Sequence, residues 1–175
     1  MTDLTLAVVV LAAGQGTRMK SSRPKVLHSI AGRSLIGHVL ATAGELQPGH
    51  VIAVVRHARD SVVESITDAM PNVLIVDQDE IPGTGRAVEV AIAALPADFA
   101  GDVVVVSGDV PLLDAATLRS LIDTHRAASA AATVLSAILD DATGYGRIVR
   151  GSGGEVDRIV EQADATDDAR AITEI

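Results

Sequence analysis

Leu6-Ala7-Val8-Val9-Val10-Leu11-Ala12-Ala13-Gly14-Gln15-Gly16-Thr17-Arg18-Met19 opens on six apolar residues and runs straight into a glycine-bearing loop. An apolar run without polar alternation predicts a strand buried on both faces, as in the middle of a parallel sheet. Similar runs recur at residues 51–55, 73–76 and 103–106, and a further strand is expected at 132–139. Helical periodicity fills the gaps at residues 35–46, 60–70, 85–95 and 114–126, with Asp114 as N-cap of the last and Leu118, Leu121 and Ile122 on its apolar face. Strands alternating with helices at this spacing predict right-handed βαβ units. The expected fold is therefore α/β, Rossmann-like and three-layered, with a mostly parallel mixed sheet and helices on both faces. After Asp140 the pattern breaks at Gly144, Gly146, Gly151, Gly153 and Gly154, leaving strand-like pieces at 147–150 and 156–161. These read as a hairpin extension of the same domain.

The chain has 175 residues, with 14 Lys and Arg against 23 Asp and Glu, a formal net charge of −9. That length suits one domain with a core of its own. It contains no cysteine, which excludes disulfides, thiol nucleophiles and cysteine-ligated metals and agrees with a reducing compartment. Phe99 and Tyr145 are the only aromatics, and with the acidic balance they argue against a nucleic-acid partner. A bound base must be held by hydrogen bonds. No apolar run approaches the roughly 18 to 20 residues of a membrane span. Residues 1–6 carry Asp3 and no basic region, so no signal peptide is read there. The expectation is a cytoplasmic protein without a membrane partner.

The charge is unevenly placed. Residues 1–60 carry +4 and residues 61–175 carry −13, and Arg18, Lys20, Arg23 and Lys25 fall within eight residues. Such a cluster is either a solvated loop or an anion site. Gly14 and Gly16, directly after the first strand, let backbone amides approach a phosphate chain. A dinucleotide fingerprint wants a third glycine where Met19 stands, and a P-loop wants Gly-Lys-Ser/Thr at its end; neither matches. A long cationic loop instead suits a nucleoside triphosphate, with Arg18 gripping two oxygens and Lys25 placing a compact charge. The fourth strand ends in Ser107-Gly108-Asp109-Val110-Pro111, where Asp109 is either a turn-former or a ligand for Mg²⁺ at the sheet's carboxyl edge. Gln78, ending the third strand, offers an amide to a base edge, and Thr84 of Gly83-Thr84-Gly85 is either a helix cap or a ligand contact.

The stretch from Leu11 to Met19, continued by Lys20-Ser21-Ser22-Arg23-Pro24-Lys25-Val26-Leu27-His28, resembles the signature of the sugar nucleotidyltransferases. It is similar specifically to the N-acetylglucosamine-1-phosphate uridyltransferase half of a bifunctional uridyltransferase and acetyltransferase. Gln78 with Gly83-Thr84-Gly85, Gly108-Asp109-Val110-Pro111-Leu112-Leu113, Thr143-Gly144-Tyr145-Gly146-Arg147-Ile148 and Ile159-Val160-Glu161-Gln162-Ala163-Asp164-Ala165 continue the pattern in order.

The resemblance implies uridylyl transfer from UTP to N-acetylglucosamine 1-phosphate for cell-wall precursor synthesis. It implies nucleotide contacts at Leu11, Ala12, Ala13, Gly14, Lys25, Gln78, Gly83 and Thr84. Arg18 and Lys25 are implied as catalytic, Mg²⁺ at Asp109, and sugar-side contacts at Ser107, Gly108, Asp109, Gly146 and Glu161. Ser107 stands where some members carry tyrosine. The family continues past the Ile172-Thr173-Glu174-Ile175 ending with an asparagine-bearing turn and an acetyltransferase β-helix through which it forms homotrimers. The expectation is thus an incomplete nucleotidyltransferase domain over residues 1–175, monomeric by itself. The alternatives are a nucleotide-sugar-binding module without turnover, or transfer to a different sugar 1-phosphate.

Overall fold

The structure is a computed structural model, and it describes residues 5–16 and 19–175. After β1 (Thr5–Leu11) come a 3-10 turn (Lys25–Leu27) and a short antiparallel pair, β2 (Ser29–Ile30) and β3 (Arg33–Ser34). There follow α1 (Leu35–Glu45), β4 (His50–Val55), α2 (Arg59–Ala69), β5 (Leu74–Asp77), α3 (Thr84–Ala93), β6 (Gly101–Ser107) and α4 (Ala115–Ala128). The main sheet has the order β5-β4-β1-β6, and every neighbouring pair in it is parallel. Among the described residues, antiparallel pairing occurs in two separate two-stranded ladders and one isolated bridge.

Ala7, Val8, Val9 and Val10 have no exposed surface, as the unbroken apolar run of β1 requires. Alternate side chains enter different cores. Val8 and Val10 join Ile36 and Leu40 of α1, Ile66 of α2 and Leu118 of α4, whereas Val9 joins Ala87 and Ala91 of α3. Burying a residue such as Ile36 or Leu40 contributes about 1.5–3 kcal/mol each. The division of helices follows from strand order. The steps from β1 to β4 and from β4 to β5 run one way, with α1 and α2 on one face. The return from β5 to the far edge at β6 runs the other way and places α3 on the opposite face, as a crossover of fixed hand demands.

Local chemistry sets the helix starts. The Ser34 hydroxyl accepts from Gly37 N–H at 3.1 Å. The Asp114 carboxylate accepts from Thr117 N–H at 2.7 Å, confirming the expected cap, and that bond holds its carboxyl below the usual range.

Contacts divide the chain into two compact units, up to Ala127 and Ala128–Ile175. The second contains the expected hairpin, β7 (Arg147–Arg150) and β8 (Val156–Val160), and a single-turn helix, α5 (Asp167–Arg170), capped by Thr166. The strand expected at 132–139 does not form. Ala137 exchanges main-chain hydrogen bonds with Ile175 at 3.1 and 2.9 Å, Leu139 N–H donates to Thr173 at 3.0 Å, and Ile138 makes an isolated bridge with Glu174. The rest of the stretch has no ladder, and Leu135 and Ile138 stay 50% and 79% exposed. Strand propensity reflects fit to a paired, half-buried surface, and here the pairing with residues 173–175 is made at 137–139. Glu174 anchors this corner: its carboxylate accepts from Ser136 at 2.6 Å and from Arg150 at 2.6 and 2.8 Å, which depresses its pKa to about 2.

Candidate active site

All four strands of the main sheet end on one edge, so the loops after β1, β4, β5 and β6 emerge side by side. Main-chain bonds extend this register past the strand ends. Ala12 N–H donates to Val54 at 2.8 Å, Gln78 N–H to Val55 at 2.9 Å and Gly108 N–H to Leu11 at 2.8 Å. The order across the edge is therefore Gln78, Arg56, Ala12 and Gly108.

In the loop after β1, Ala12 and Ala13 are buried while Gly14 is exposed, and a Cβ placed on Gly14 would meet no described atom within 4 Å. Gly16 is required for two reasons. Its φ of +65° lies in the left-handed region, and a Cβ there would lie 2.7 Å from the Cβ of Lys25. Glycine thus lets the loop fold back against the turn that carries Lys25. The Lys25 ammonium forms an ion pair with Asp109. The expected phosphate-binding cation and the expected metal ligand, 84 residues apart in the chain, stand together. Their side chains keep 39% and 26% of their surface, so a ligand can reach the pair. Gly108 supports the arrangement, since a Cβ there would press to 3.0 Å from the Leu11 carbonyl oxygen. Ser107 is the last residue of β6, opposite Leu11 in register. Arg18, expected to grip phosphate, lies outside the described residues.

The loop after β5 is pinned from several sides. Arg59 holds Asp77 at 2.5 and 3.1 Å, Arg86 holds Asp79 at 2.6 and 3.0 Å, and Arg56 donates to the Glu80 carbonyl at 3.2 Å. The hydrogen bond from Arg86 is the main reason the Asp79 carboxyl sits below its usual range. Inside the loop, Gln78 Nε2 donates to the carbonyls of Ile81 and Gly83, both at 3.0 Å. Carbonyl acceptors on that side fix the orientation of the amide, and both N–H groups are consumed. Oε1 is its remaining polar atom.

Gly83, with φ +118°, takes the N-cap position of α3, and no side chain caps that helix. The cap reading of Thr84 is thereby corrected: Thr84 is the first helical residue, because Gly83 alone can adopt the backbone conformation that starts the helix. A Cβ on Gly83 or Gly85 would meet nothing described within 4 Å, so the start of α3 borders open space. Gly14 after β1, in a loop folded against the turn that carries the accessible Lys25, and the open glycines at the start of α3 suit the approach of an anion.

In the second unit, Gly146 lies against Glu161. A Cβ on Gly146 would come within 3.3 Å of Ile159 Cγ2 and 3.7 Å of Glu161 Oε2. These two expected sugar contacts are thus brought together within that unit. The arginines that pin the Gln78 loop, and Arg147 beside Gly146, received no role from the sequence. Their acidic, amide or carbonyl partners are visible there, but pairings up to 25 residues apart depend on the fold.

The MobA-like NTP transferase domain family matches residues 8–146. The chain belongs to this family. Among curated relatives it is similar to the bifunctional protein GlmU of Leifsonia xyli subsp. xyli, 65% identical over 175 residues, a match covering 100% of this chain and 36% of that protein. GlmU of Clavibacter sepedonicus is 63% identical over 171 residues, covering 98% of the chain and 35% of the relative. The chain therefore spans about a third of the length of the curated relatives it matches.

Among solved structures, UDP-glucose pyrophosphorylase complexed with UDP-glucose aligns with a TM-score of 0.69 at 18% identity, over 98% of this chain and 73% of that one, which supports the three-layer fold. The Rv0371C complex with manganese from Mycobacterium tuberculosis aligns at 0.57 and 27% identity, over 70% and 60% of the two chains. No helix among the described residues is long and apolar enough to cross a membrane.

Proposed function

We propose that this NTP transferase domain transfers a uridylyl group from UTP to N-acetylglucosamine 1-phosphate, forming UDP-N-acetylglucosamine and pyrophosphate. The observation that carries this reading is the Lys25–Asp109 pair at the carboxyl edge, with Gly16 of the first loop packed against Lys25 and Gly14 of that loop open. The similarity to GlmU proteins supports the choice of substrates. Residues 1–175 then form part of the nucleotidyltransferase domain of a longer bifunctional protein that also carries an acetyltransferase part. The reaction belongs in the cytoplasm, where it supplies an activated aminosugar for cell-wall precursors.

An oxygen of the sugar phosphate attacks the α-phosphorus of UTP in line, the bond to the bridging oxygen breaks, and pyrophosphate leaves. A phosphate monoester has a second pKa of about 6 and is already largely dianionic at neutral pH, so no general base is required. The protein's part is positioning and charge neutralisation. Lys25, with Arg18, neutralises the α-phosphate and the departing pyrophosphate. Leu11, Ala12, Ala13 and Gly14 line the nucleotide, and the amides of Gly83 and Thr84 meet it at the start of α3. Ser107, Gly108, Asp109, Gly146 and Glu161 serve the sugar side.

Asp109 fits Mg²⁺. No group of three or more His, Cys, Asp or Glu side chains gathers among the described residues, so the protein offers this ion few ligands. Mg²⁺ is suited to such a site because it takes one or two carboxylates and completes its shell with water and substrate phosphates. When bound, it supplies charge neutralisation to the phosphates of both substrates. The manganese in the Rv0371C structure supports a divalent ion in this fold.

Gln78 selects the base. With both N–H groups given to Ile81 and Gly83, its free Oε1 accepts a hydrogen bond and offers none. Uracil presents N3–H to such an acceptor, whereas cytosine presents a bare ring nitrogen. Calorimetric titration with UTP and CTP is expected to show a clear preference for UTP. In Gln78→Leu that preference falls by about tenfold, the worth of one net hydrogen bond and the clash it avoids. An unchanged UTP-to-CTP ratio in the variant contradicts the assignment.

A further inference from the structure

Arg147 is the one buried charged residue among those described, with 2% of its surface exposed. Burying a guanidinium costs free energy unless its N–H groups are matched. Its hydrogen-bond partners here are neutral, with the Asp141 carboxylate adding attraction from nearby: Nε donates to the Ile172 carbonyl at 2.8 Å, one terminal nitrogen to the Tyr145 carbonyl, and the other to Gln162 Oε1 at 3.0 Å. Gln162 Oε1 also accepts from Gly144 N–H at 3.2 Å. Asp141 closes the same turn by accepting from Thr143 N–H at 2.9 Å. Two of the arginine's partners flank the proposed sugar contacts. Tyr145 immediately precedes Gly146, and Gln162 immediately follows Glu161.

We infer that Arg147 is a positioning residue for the sugar side of the site, a buried clamp that sets the distance between the Gly146 backbone and the Glu161 carboxylate. This rests on the reading of Gly146 and Glu161 as sugar contacts. The clamp works by shape as well as charge. A planar fork satisfies acceptors from three segments at once, whereas a lysine ammonium reaches one point. With the fork removed, the Tyr145 and Ile172 carbonyls lose their donor, and the 143–146 turn shifts against β8. At only 2% exposure, Arg147 acts on the sugar through its neighbours rather than by touching it.

The test compares two ligands on the 175-residue chain, since UDP-N-acetylglucosamine uses the sugar contacts and UTP does not. In Arg147→Met, affinity for UDP-N-acetylglucosamine is expected to fall by about tenfold or more, while affinity for UTP stays within about twofold. Arg147→Lys is expected not to rescue it. Because loss of a buried arginine can impair folding, Gln162 gives a second pair of variants. Gln162→Glu keeps an acceptor for both Arg147 and Gly144 and should keep the UDP-sugar affinity. Gln162→Met removes the acceptor and should follow Arg147→Met. A general structural role would lower thermal stability and weaken both ligands together; equal weakening, or unchanged UDP-sugar affinity, overturns the proposal. Wild-type chain that binds UTP and not UDP-N-acetylglucosamine overturns the sugar reading beneath it, and chain that binds neither overturns the proposed function.

Discussion

Asp109→Asn is expected to lower formation of UDP-N-acetylglucosamine by about 10³-fold, the several kcal/mol that a catalytic metal ion contributes to transition-state charge. Asparagine keeps the size of the side chain and an oxygen at the same place, so the loss reports charge and not packing. In the wild type the carboxylate has two possible cationic partners, the Lys25 ammonium seen in the structure and a divalent ion brought with the nucleotide. Asp109 would hold the divalent ion, which would supply charge neutralisation to phosphate, and the asparagine variant would lose that charge together with the ion pair to Lys25. The measurement is pyrophosphate release as Mg²⁺ is raised. The variant should show little activity at any concentration, and a kcat within tenfold of the wild type would remove Asp109 from the chemistry.

Lys25→Met is expected to reduce kcat by about 10²–10³-fold, the range measured when a preorganised charge-stabilising donor is deleted from an active site. KM for UTP should change much less, because the base and the start of α3 remain. Lys25→Arg should restore little. The charge beside Asp109 is placed by a compact ammonium, which a broad planar guanidinium does not reproduce. A variant whose KM rises while kcat is retained would make Lys25 a binding residue only.

Much of the first unit was legible because its signals are local. The apolar run from Leu6 to Leu11 meets the requirement for a strand buried on both faces, and its alternate residues do enter two cores. Asp114 caps its helix as its residue type predicts. The stretch at 132–139 misled for the converse reason. Its composition fits a strand, but strand formation depends on a paired neighbour, and the main-chain pairing with residues 173–175 lies at 137–139. At the site, residue types were readable and partnerships were not. Lys25 and Asp109 were assigned separate duties, while their ion pair arises only when the end of β6 is laid beside the loop after β1. Gln78 was legible as an amide at a strand end, but the loss of its donors to Ile81 and Gly83 depends on a loop held by arginines from α2, α3 and the end of β4. Arg147 was hidden by the usual expectation that arginine is solvated. Its burial follows from three carbonyl-type acceptors converging from separate segments, a geometry no local pattern encodes.

The most direct test of uridylyl transfer is ³¹P NMR of the chain incubated with UTP, Mg²⁺ and N-acetylglucosamine 1-phosphate. Pyrophosphate and the two coupled resonances of UDP-N-acetylglucosamine should grow together, in equal amounts and only when all three components are present. Pyrophosphate that appears at the same rate without the sugar phosphate, or a spectrum that does not change with all three supplied, would contradict the proposed reaction.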